Sequence, residues 1–328
     1  MDTETLIVRN SGLSTFRQCR QKFEWAYIDN IRSIKNKPAL GFGSLIHRAL
    51  ELRYPPGKRR GPHPVECWHL AWEEFIAAGN DEFDVLKDIP ADALGLHMMQ
   101  NYYDEYGKDA DYEIIAPEQS FQLDIANPET GEMLGIFTGT ADACVRNIHT
   151  KKIGLFEHKT GAALSPFGAP MELDDQAGTY WALMPIYLQH IGVLKKNEGL
   201  DFVMYNRLRK AMKDKRPVNE AGQSLNTNGS ISKVQPMALF KREMCWRSPD
   251  SAVSIFDRIV AQMEEIQMLR NGELKAYKNP DRHCGYCEFK DMCEVHEERS
   301  DWQSVRDATM TTWDPFADHR EGIESDDA

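Results

Sequence analysis

Three consecutive strand patterns in the middle of the chain constrain its fold more than any other feature. Apolar residues in alternating or continuous runs predict strands over 114–125, 134–145 and 153–158. The first connection contains the turn signal NPETG at 127–131, and the second is a polar turn at 147–152. Because such short connections join antiparallel strands, the sequence predicts an antiparallel meander.

Helical patterns surround this meander on both sides in the sequence. We expect helices over 11–31, 43–52, 64–78, 90–106, 171–190 and 250–270, with further strands over 202–208 and 235–246. Helices flanking a group of strands indicate an α/β fold with a central mixed sheet. We divide the chain into a helical region (1–110), a core (111–250), a helix with a cysteine cluster (251–300) and an acidic tail (301–328) expected to be disordered.

The composition excludes several classes of protein. The chain has 328 residues with 39 basic and 51 acidic side chains, a formal charge of −12. No apolar run approaches the ~20 residues that span a membrane, and the acidic start is unlike a signal peptide, so we expect a cytoplasmic protein. An acidic chain needs a local basic surface to bind DNA. Residues 195–216, with eight basic and three acidic side chains, are one candidate, and a solvated charged loop running into a mobile segment at 210–233 is the alternative.

Charged side chains cluster at one end of the predicted meander. Asp142 lies within the second strand, while Glu157 and Lys159 lie two residues apart in the third and therefore on the same face, with His158 on the other. Two converging carboxylates suit Mg²⁺ or Mn²⁺, and a neighbouring lysine can orient or deprotonate a water. This combination fits phosphodiester hydrolysis. The alternative is a surface ion pair at a solvated strand end.

Two helical pairs of residues are candidates to complete this site. His47 lies between Gly43 and Glu51 at spacings of four, and its imidazole could bind the metal. Gln176 and Tyr180 are also four residues apart, on the helix that follows the third strand. The alternatives are a structural histidine and a polar helix surface with a half-buried aromatic ring.

The cysteines indicate a second metal centre. Cys284, Cys287 and Cys293 form a compact set, and Cys19 is the natural fourth ligand. Four thiolates suit a [4Fe–4S] cluster or a structural Zn²⁺, and spacing alone does not separate them. His296 is an alternative ligand that would favour zinc. Three further cysteines are isolated and are expected to be small buried residues: Cys67, Cys144 and Cys245.

Six short motifs occur in order along residues 11–293: SGLSTFRQC, GFGSLIHRALE, GTAD, EHKTG, QAGTY and CGYCEFKDMC. This ordered set resembles the RecB-type branch of the PD-(D/E)XK nuclease superfamily, specifically its iron–sulfur members. Similar proteins include AddB-type nuclease domains, small CRISPR-associated RecB-like exonucleases and phage-encoded relatives. The resemblance implies a restriction-endonuclease-like core whose helical N-terminal part is tied to the C-terminus by a metal cluster.

The resemblance also implies roles for single residues. Metal ligands would be His47, Asp142 and Glu157; catalytic residues would be Asp142, Glu157, Lys159, Gln176 and Tyr180; cluster ligands would be Cys19, Cys284, Cys287 and Cys293. Glu118 matches a further acidic position, at the opening of the strand before Asp142. The chain departs from the pattern at Glu157, where many relatives have Asp, and at Arg20, where Pro often follows the cysteine.

The resemblance implies a metal-dependent exonuclease that cuts single-stranded DNA or DNA ends in recombination, repair or replication, in the host cytoplasm if the protein is phage-encoded. The sequence has no P-loop motif, so this chain brings no helicase of its own. The alternatives are a DNA-binding subunit of a recombination or CRISPR-adaptation complex with secondary cleavage, and a zinc-stabilised structural protein. The acidic tail could dock a replication or recombination protein, mimic DNA or keep the chain soluble.

Overall fold

A computed structural model describes residues 5–34, 38–164 and 170–317. The helices are α1 (Asn10–Gln18), α2 (Arg20–Phe23), α3 (Pro38–Arg53), α4 (Pro64–Ala77), α5 (Ala91–Tyr106), α6 (Asp175–His190), α7 (Pro249–Arg270), α8 (Lys290–Glu297) and α9 (Trp302–Thr309). The strands are β1 (Ile7–Arg9), β2 (Ile31–Ser33), β3 (Asp84–Leu86), β4 (Ile89–Pro90), β5 (Tyr112–Ala126), β6 (Met133–Asn147), β7 (Ile153–Gly161), β8 (Phe202–Arg209), β9 (Phe240–Trp246) and β10 (Met310–Thr312).

A six-stranded mixed sheet forms the centre of the molecule. β5, β6 and β7 are antiparallel neighbours, as the predicted meander requires, although β5 and β6 are longer than expected at 15 residues each. β8 is parallel to β7 and antiparallel to β9. β1 is parallel to β6, so the N-terminal strand is part of this sheet. The predicted fold class, with its central mixed sheet flanked by helices, is confirmed.

Apolar side chains cover both faces of the sheet. One core packs the sheet against α1, α6 and α7, and the other packs it against α3, α4 and α5. Leu155 belongs to the first core and Phe156 to the second, because successive strand residues point to opposite faces. A fully buried side chain of this size contributes about 1.5–3 kcal/mol to stability. This packing fixes the orientation of β7. It therefore also decides to which side of the sheet each of the following polar residues points.

The single helix predicted over 11–31 is wrong, because the backbone is extended at Cys19 (φ −164°, ψ 116°). α1 ends one residue earlier, and α2 continues into a π-helical turn over Glu24–Ile28. The Gln21 N–H donates 3.0 Å to the carbonyl of Tyr277, which attaches this break to the chain just before the cysteine cluster. Tertiary contacts have overridden the helical pattern here.

Residues 301–317 are folded, so the prediction of disorder is wrong for this part of the acidic tail. α9 and β10 return to the N-terminal part, and β10 pairs with β2. Trp302 and Met310 pack against the cluster that holds Trp25 and Phe289, and the Trp313 indole N–H donates 3.1 Å to the carbonyl of Ala26. The burial of these apolar side chains offsets the conformational entropy that is lost when the otherwise polar segment becomes ordered. Residues 318–328 lie outside the described part of the chain.

β8 divides the basic surface predicted over 195–216. Lys195 and Lys196 precede the strand, while the remaining basic residues stand at its end or beyond it. Eight residues at about 3.3 Å each separate the two groups by roughly 25 Å, so they do not form one patch. Across residues 5–34, 38–164 and 170–317, no helix combines the length and apolarity that a bilayer-spanning helix requires.

Candidate active site

Asp142 lies in a fork between two strands that share one edge of β6. The register of β1 with β6 ends at Thr138, and that of β7 begins at Ala143. The carboxylate in this interval is nearly buried, and it accepts a 2.6 Å hydrogen bond from the His158 backbone N–H. Its other oxygen lies 2.8 Å from Nδ1 of His47. The interrupted strand pairing thus supplies the place where an acidic side chain can stand inside the sheet.

Glu157 and Lys159 follow on β7 and face α6, on the same side of the sheet as predicted. The Glu157 carboxylate is only 3% exposed, and its Oε1 lies 2.7 Å from Nζ of Lys159. Burial raises the pKa of Glu157, an effect that Lys159 opposes and Asp142 reinforces. For Lys159, burial favours a lower pKa, but the charge of Glu157 outweighs it and raises the pKa. Lys159 is therefore protonated. It lies against the carboxylate of Glu157, whose charged form is disfavoured by burial.

A third carboxylate, Glu118, reaches the same place from β5. Pro117 pairs with Ala143 and Gln119 with Ala141, so Glu118 stands opposite Asp142 in the middle of the strand, not at its opening. Its φ of +35° is a conformation that L-residues seldom adopt. Burial raises the pKa of Glu118 to about 7, and the charge of Asp142 adds to the rise. Three carboxyl groups are therefore concentrated in a partly buried space.

His47 supplies a cation to this space when no metal is bound. Burial favours a lower pKa, but the carboxylate of Asp142 outweighs it and raises the pKa of His47 to about 9. α3 approaches the end of β7 closely at Gly43, where a Cβ atom would lie 3.2 Å from Oγ1 of Thr160. Glycine at this position lets the helix bring His47 over the carboxylates.

Gln176 and Tyr180 complete the predicted set from α6. The helix begins after Asp174, whose side chain caps it by accepting 3.0 Å from the Ala177 N–H. Gln176 Oε1 then accepts a 2.8 Å hydrogen bond from Lys159 Nζ. Tyr180 is 7% exposed and hydrogen bonds with Gln176. All six predicted residues of the acidic site therefore meet in the structure.

Behind the site lies a buried polar network that the sequence pattern did not indicate. Arg242 forms a two-point ion pair with Asp109 (2.7 Å to each oxygen) and donates 3.2 Å to Oδ1 of Asn206. The amide nitrogen of Asn206 lies 3.0 Å from Nδ1 of His158 and so donates to it, which leaves the ring proton on Nε2. Burial lowers the pKa of His158 to about 3, so the ring is neutral. This network holds the backbone amide that binds Asp142.

The four predicted cluster cysteines line one cavity of about 350 Å³, which lies between the helix break at Cys19 and residues 284–293. Cys284 is exposed, and Cys19, Cys287 and Cys293 are partly buried. Lys22, Lys278 and Lys290 line the same cavity. His296 packs on Trp25 and Trp302 instead. In the described ranges, no three His, Cys, Asp or Glu side chains already stand as ligands of a single metal ion, here or at the acidic site. The three isolated cysteines are buried as predicted.

Comparisons with known proteins identify a family whose model covers most of the chain. A family model described as the PD-(D/E)XK nuclease superfamily matches residues 10–294. No curated protein matches the sequence. Two solved structures resemble the chain at 9% identity: a candidate exonuclease from Eubacterium rectale (86% of each chain covered, TM-score 0.46) and the protein SSO0001 (90% of this chain and 89% of the other, TM-score 0.34). Scores this low carry no argument about function.

The chain belongs to the PD-(D/E)XK nuclease superfamily, because the family model spans most of its length. Members of this superfamily are nucleases that generally depend on Mg²⁺ or Mn²⁺. The class of protein is thereby established from the fold and from the family match. The roles of single residues, the substrate and the second metal centre are developed below as proposals.

Proposed function

We propose that the protein is a divalent-metal-dependent deoxyribonuclease that acts as an exonuclease on single strands or DNA ends. The observation that supports this most strongly is the convergence of Glu118, Asp142 and Glu157 with Lys159 at the fork in the sheet. Three carboxylates in a partly buried space repel one another, and a divalent cation relieves that repulsion.

Asp142, Glu157 and His47 are the residues that we assign to the metal, with Glu118 as a further carboxylate. Their oxygen-rich donor set fits Mg²⁺ or Mn²⁺. Bound there, the ion would supply positive charge to a phosphate oxygen and lower the pKa of a water. The structure supports this fit because burial raises the pKa values of Glu118 and Glu157, and a divalent cation beside them would favour their charged forms.

Lys159 acts on the water and phosphate in this proposal, and Gln176 positions Lys159. Glu157 keeps Lys159 protonated, so its ammonium orients the attacking water and stabilises charge that develops on the phosphate. Gln176 accepts from the same ammonium and fixes its position, while Tyr180 holds the amide of Gln176. His158 keeps Asp142 in place through its backbone N–H.

We further propose that Cys19, Cys284, Cys287 and Cys293 hold a [4Fe–4S] cluster. All four cysteines line one shared cavity of about 350 Å³, so a single cluster can contact them together. Three lysines line the same cavity, where Lys278 and Lys290 also pair with Glu297 and Glu294. Such a cluster would tie the two ends of the chain together. An iron assay with an absorption spectrum after anaerobic purification tests this; zinc without iron would contradict it.

The deciding experiment for the nuclease is cleavage of end-labelled single-stranded and duplex DNA with Mn²⁺ by wild type and Lys159→Ala. The variant should lose at least about 10²-fold in kcat, the scale of one charge-stabilising group, while DNA binding persists. Lys275→Ala removes an exposed lysine and is the matched control, with unchanged cleavage expected. Equal cleavage by wild type and Lys159→Ala would refute the assignment. Binding of DNA without any cleavage by wild type would favour the alternative, a DNA-binding subunit of a recombination or CRISPR-adaptation complex.

A further inference from the structure

We propose that residues 210–239, the β8–β9 insert, form a binding surface for unpaired DNA, with phosphates on its basic side chains and bases on its exposed aliphatic ones. This inference rests on the proposed DNA substrate and specifies that the strand is single where it meets the protein. It follows from the insert's position, its internal bonding, its charge and its exposed apolar side chains.

The insert starts at the end of the sheet where the active site lies. β7 and β8 are parallel, and the last residues of β7 after Lys159 pair with the last residues of β8. The Lys210 N–H donates 2.7 Å to the carbonyl of Gly161, two residues beyond Lys159. The Lys213 N–H donates 2.8 Å to His97 on α5, which attaches the insert to the neighbouring helix. The insert therefore begins at the same end of the sheet as Lys159 and is attached to α5.

Hydrogen bonds within the insert hold its backbone in a defined shape. Arg216 donates to Oγ of Ser232 (2.9 Å) and to the carbonyl of Val234 (3.1 Å). Gln235 accepts from the Ser224 N–H at 2.7 Å, and Ser224 is 1% exposed. The loop expected from the sequence is therefore an organised segment, and its outer side chains are presented from fixed positions.

The charge of the insert is opposite to that of the whole chain. It contains five basic residues and two acidic ones, a net charge of +3, whereas the chain carries −12. Lys213, Lys215 and Lys233 are exposed. Because an acidic protein repels DNA overall, a basic segment beside the catalytic site marks the place where the backbone can approach.

Exposed aliphatic side chains are interspersed with these charges. Val218 (59%), Ile231 (54%), Val234 (72%) and Met237 (58%) are all more than half exposed. Phosphate binding alone does not call for apolar side chains, and a paired duplex keeps its base faces stacked away from them. Unpaired bases present apolar faces next to phosphates, and aliphatic side chains such as Ile, Leu and Met are known to insert against unstacked bases. The mixture of charge and apolar surface therefore matches a single strand.

The experiment measures DNA binding by fluorescence anisotropy in the Lys159→Ala background, so that the probe is not cut. The probes are a labelled oligothymidylate and an abasic strand of equal length, which keeps the phosphates and lacks the bases. Without substitutions in the insert, we expect about tenfold tighter binding of the oligothymidylate, the scale of roughly 55 Å² of apolar surface removed from water when bases pack on aliphatic side chains. Val218→Ser, Val234→Ser and Met237→Ser combined should reduce this preference to about twofold or less.

Two controls separate base contacts from phosphate contacts. Lys213→Gln with Lys215→Gln should weaken both probes alike and reduce the salt slope by about 1.4, since each single-strand phosphate contact contributes about 0.7. Val253→Ser changes an equally exposed valine (61%) on α7 and should change neither affinity. A thermal melt of each variant verifies folding.

Three results would overturn the inference: equal affinity for both probes before the insert is changed, equal loss on both probes in the serine variant, or unchanged binding in that variant. None of these depends on cleavage. Failure of the wild type to cut any DNA would instead refute the proposed nuclease and leave this test intact.

Discussion

Divalent-metal binding at the acidic site should expel protons, because the metal-free site holds them. His47 has a pKa raised to about 9 by Asp142, and burial raises the pKa values of Glu118 and Glu157 to about 7. All three groups must lose their protons to become ligands. The affinity for Mn²⁺ therefore rises with pH and is lost as the pH falls through 7.

The magnitude follows from these three values. Binding should release about 1.5 protons at pH 7.5 and nearly three (~2.8) at pH 6, so the apparent affinity should fall on the order of 10³–10⁴-fold from pH 8 to pH 6. Isothermal titration calorimetry of Mn²⁺ in two buffers with different ionisation enthalpies counts these protons. His47→Gln should release about one proton fewer at pH 7.5. An affinity independent of pH between 6 and 8 would refute the reasoning.

Three further substitutions test other parts of the account. Asp109→Ala leaves the buried charge of Arg242 without its partner and should reduce the free energy of unfolding by about 3–5 kcal/mol in a urea titration. Gly139→Ala places a Cβ atom 2.7 Å from Cε1 of Tyr180, so the ring must move; kcat should fall by about 10-fold or more. Cys284→Ser should lose iron and melt at a lower temperature together, and full iron content in this variant would exclude Cys284 as a ligand.

The arrangement of the acidic site was predictable where strand geometry alone decides it. Short turns make β6 and β7 a hairpin, which brings Asp142 near Glu157. The two-residue period of a strand places Glu157 and Lys159 on one face and His158 on the other. The helical spacing of Gln176 and Tyr180 likewise fixes one face of α6. These relations depend only on residues that are close in sequence, so the sequence alone predicts them.

Other features depend on contacts between distant segments and leave no local pattern. The pairing of β5 with β6 shifts by one residue between Ile125 and Ala126, beside the connecting turn, and without knowing this shift the position of Glu118 opposite Asp142 cannot be counted. Asp109 and Arg242 are 133 residues apart. The break at Cys19 has no Gly or Pro to signal it. The folded segment after 301 did carry a signal, since Trp302 and Trp313 are unusual in a disordered tail.

The central claim is that Asp142 and Glu157 hold a divalent cation at the fork in the sheet. Crystals soaked with Mn²⁺ test it directly, because an anomalous difference map locates manganese without assumptions about chemistry. The account predicts a peak bonded to both carboxylates at about 2.0–2.2 Å, the range for a small divalent ion with oxygen ligands. The same crystals of Asp142→Asn should have a weaker peak or none. Manganese bound elsewhere, with neither carboxylate in contact, would contradict the account.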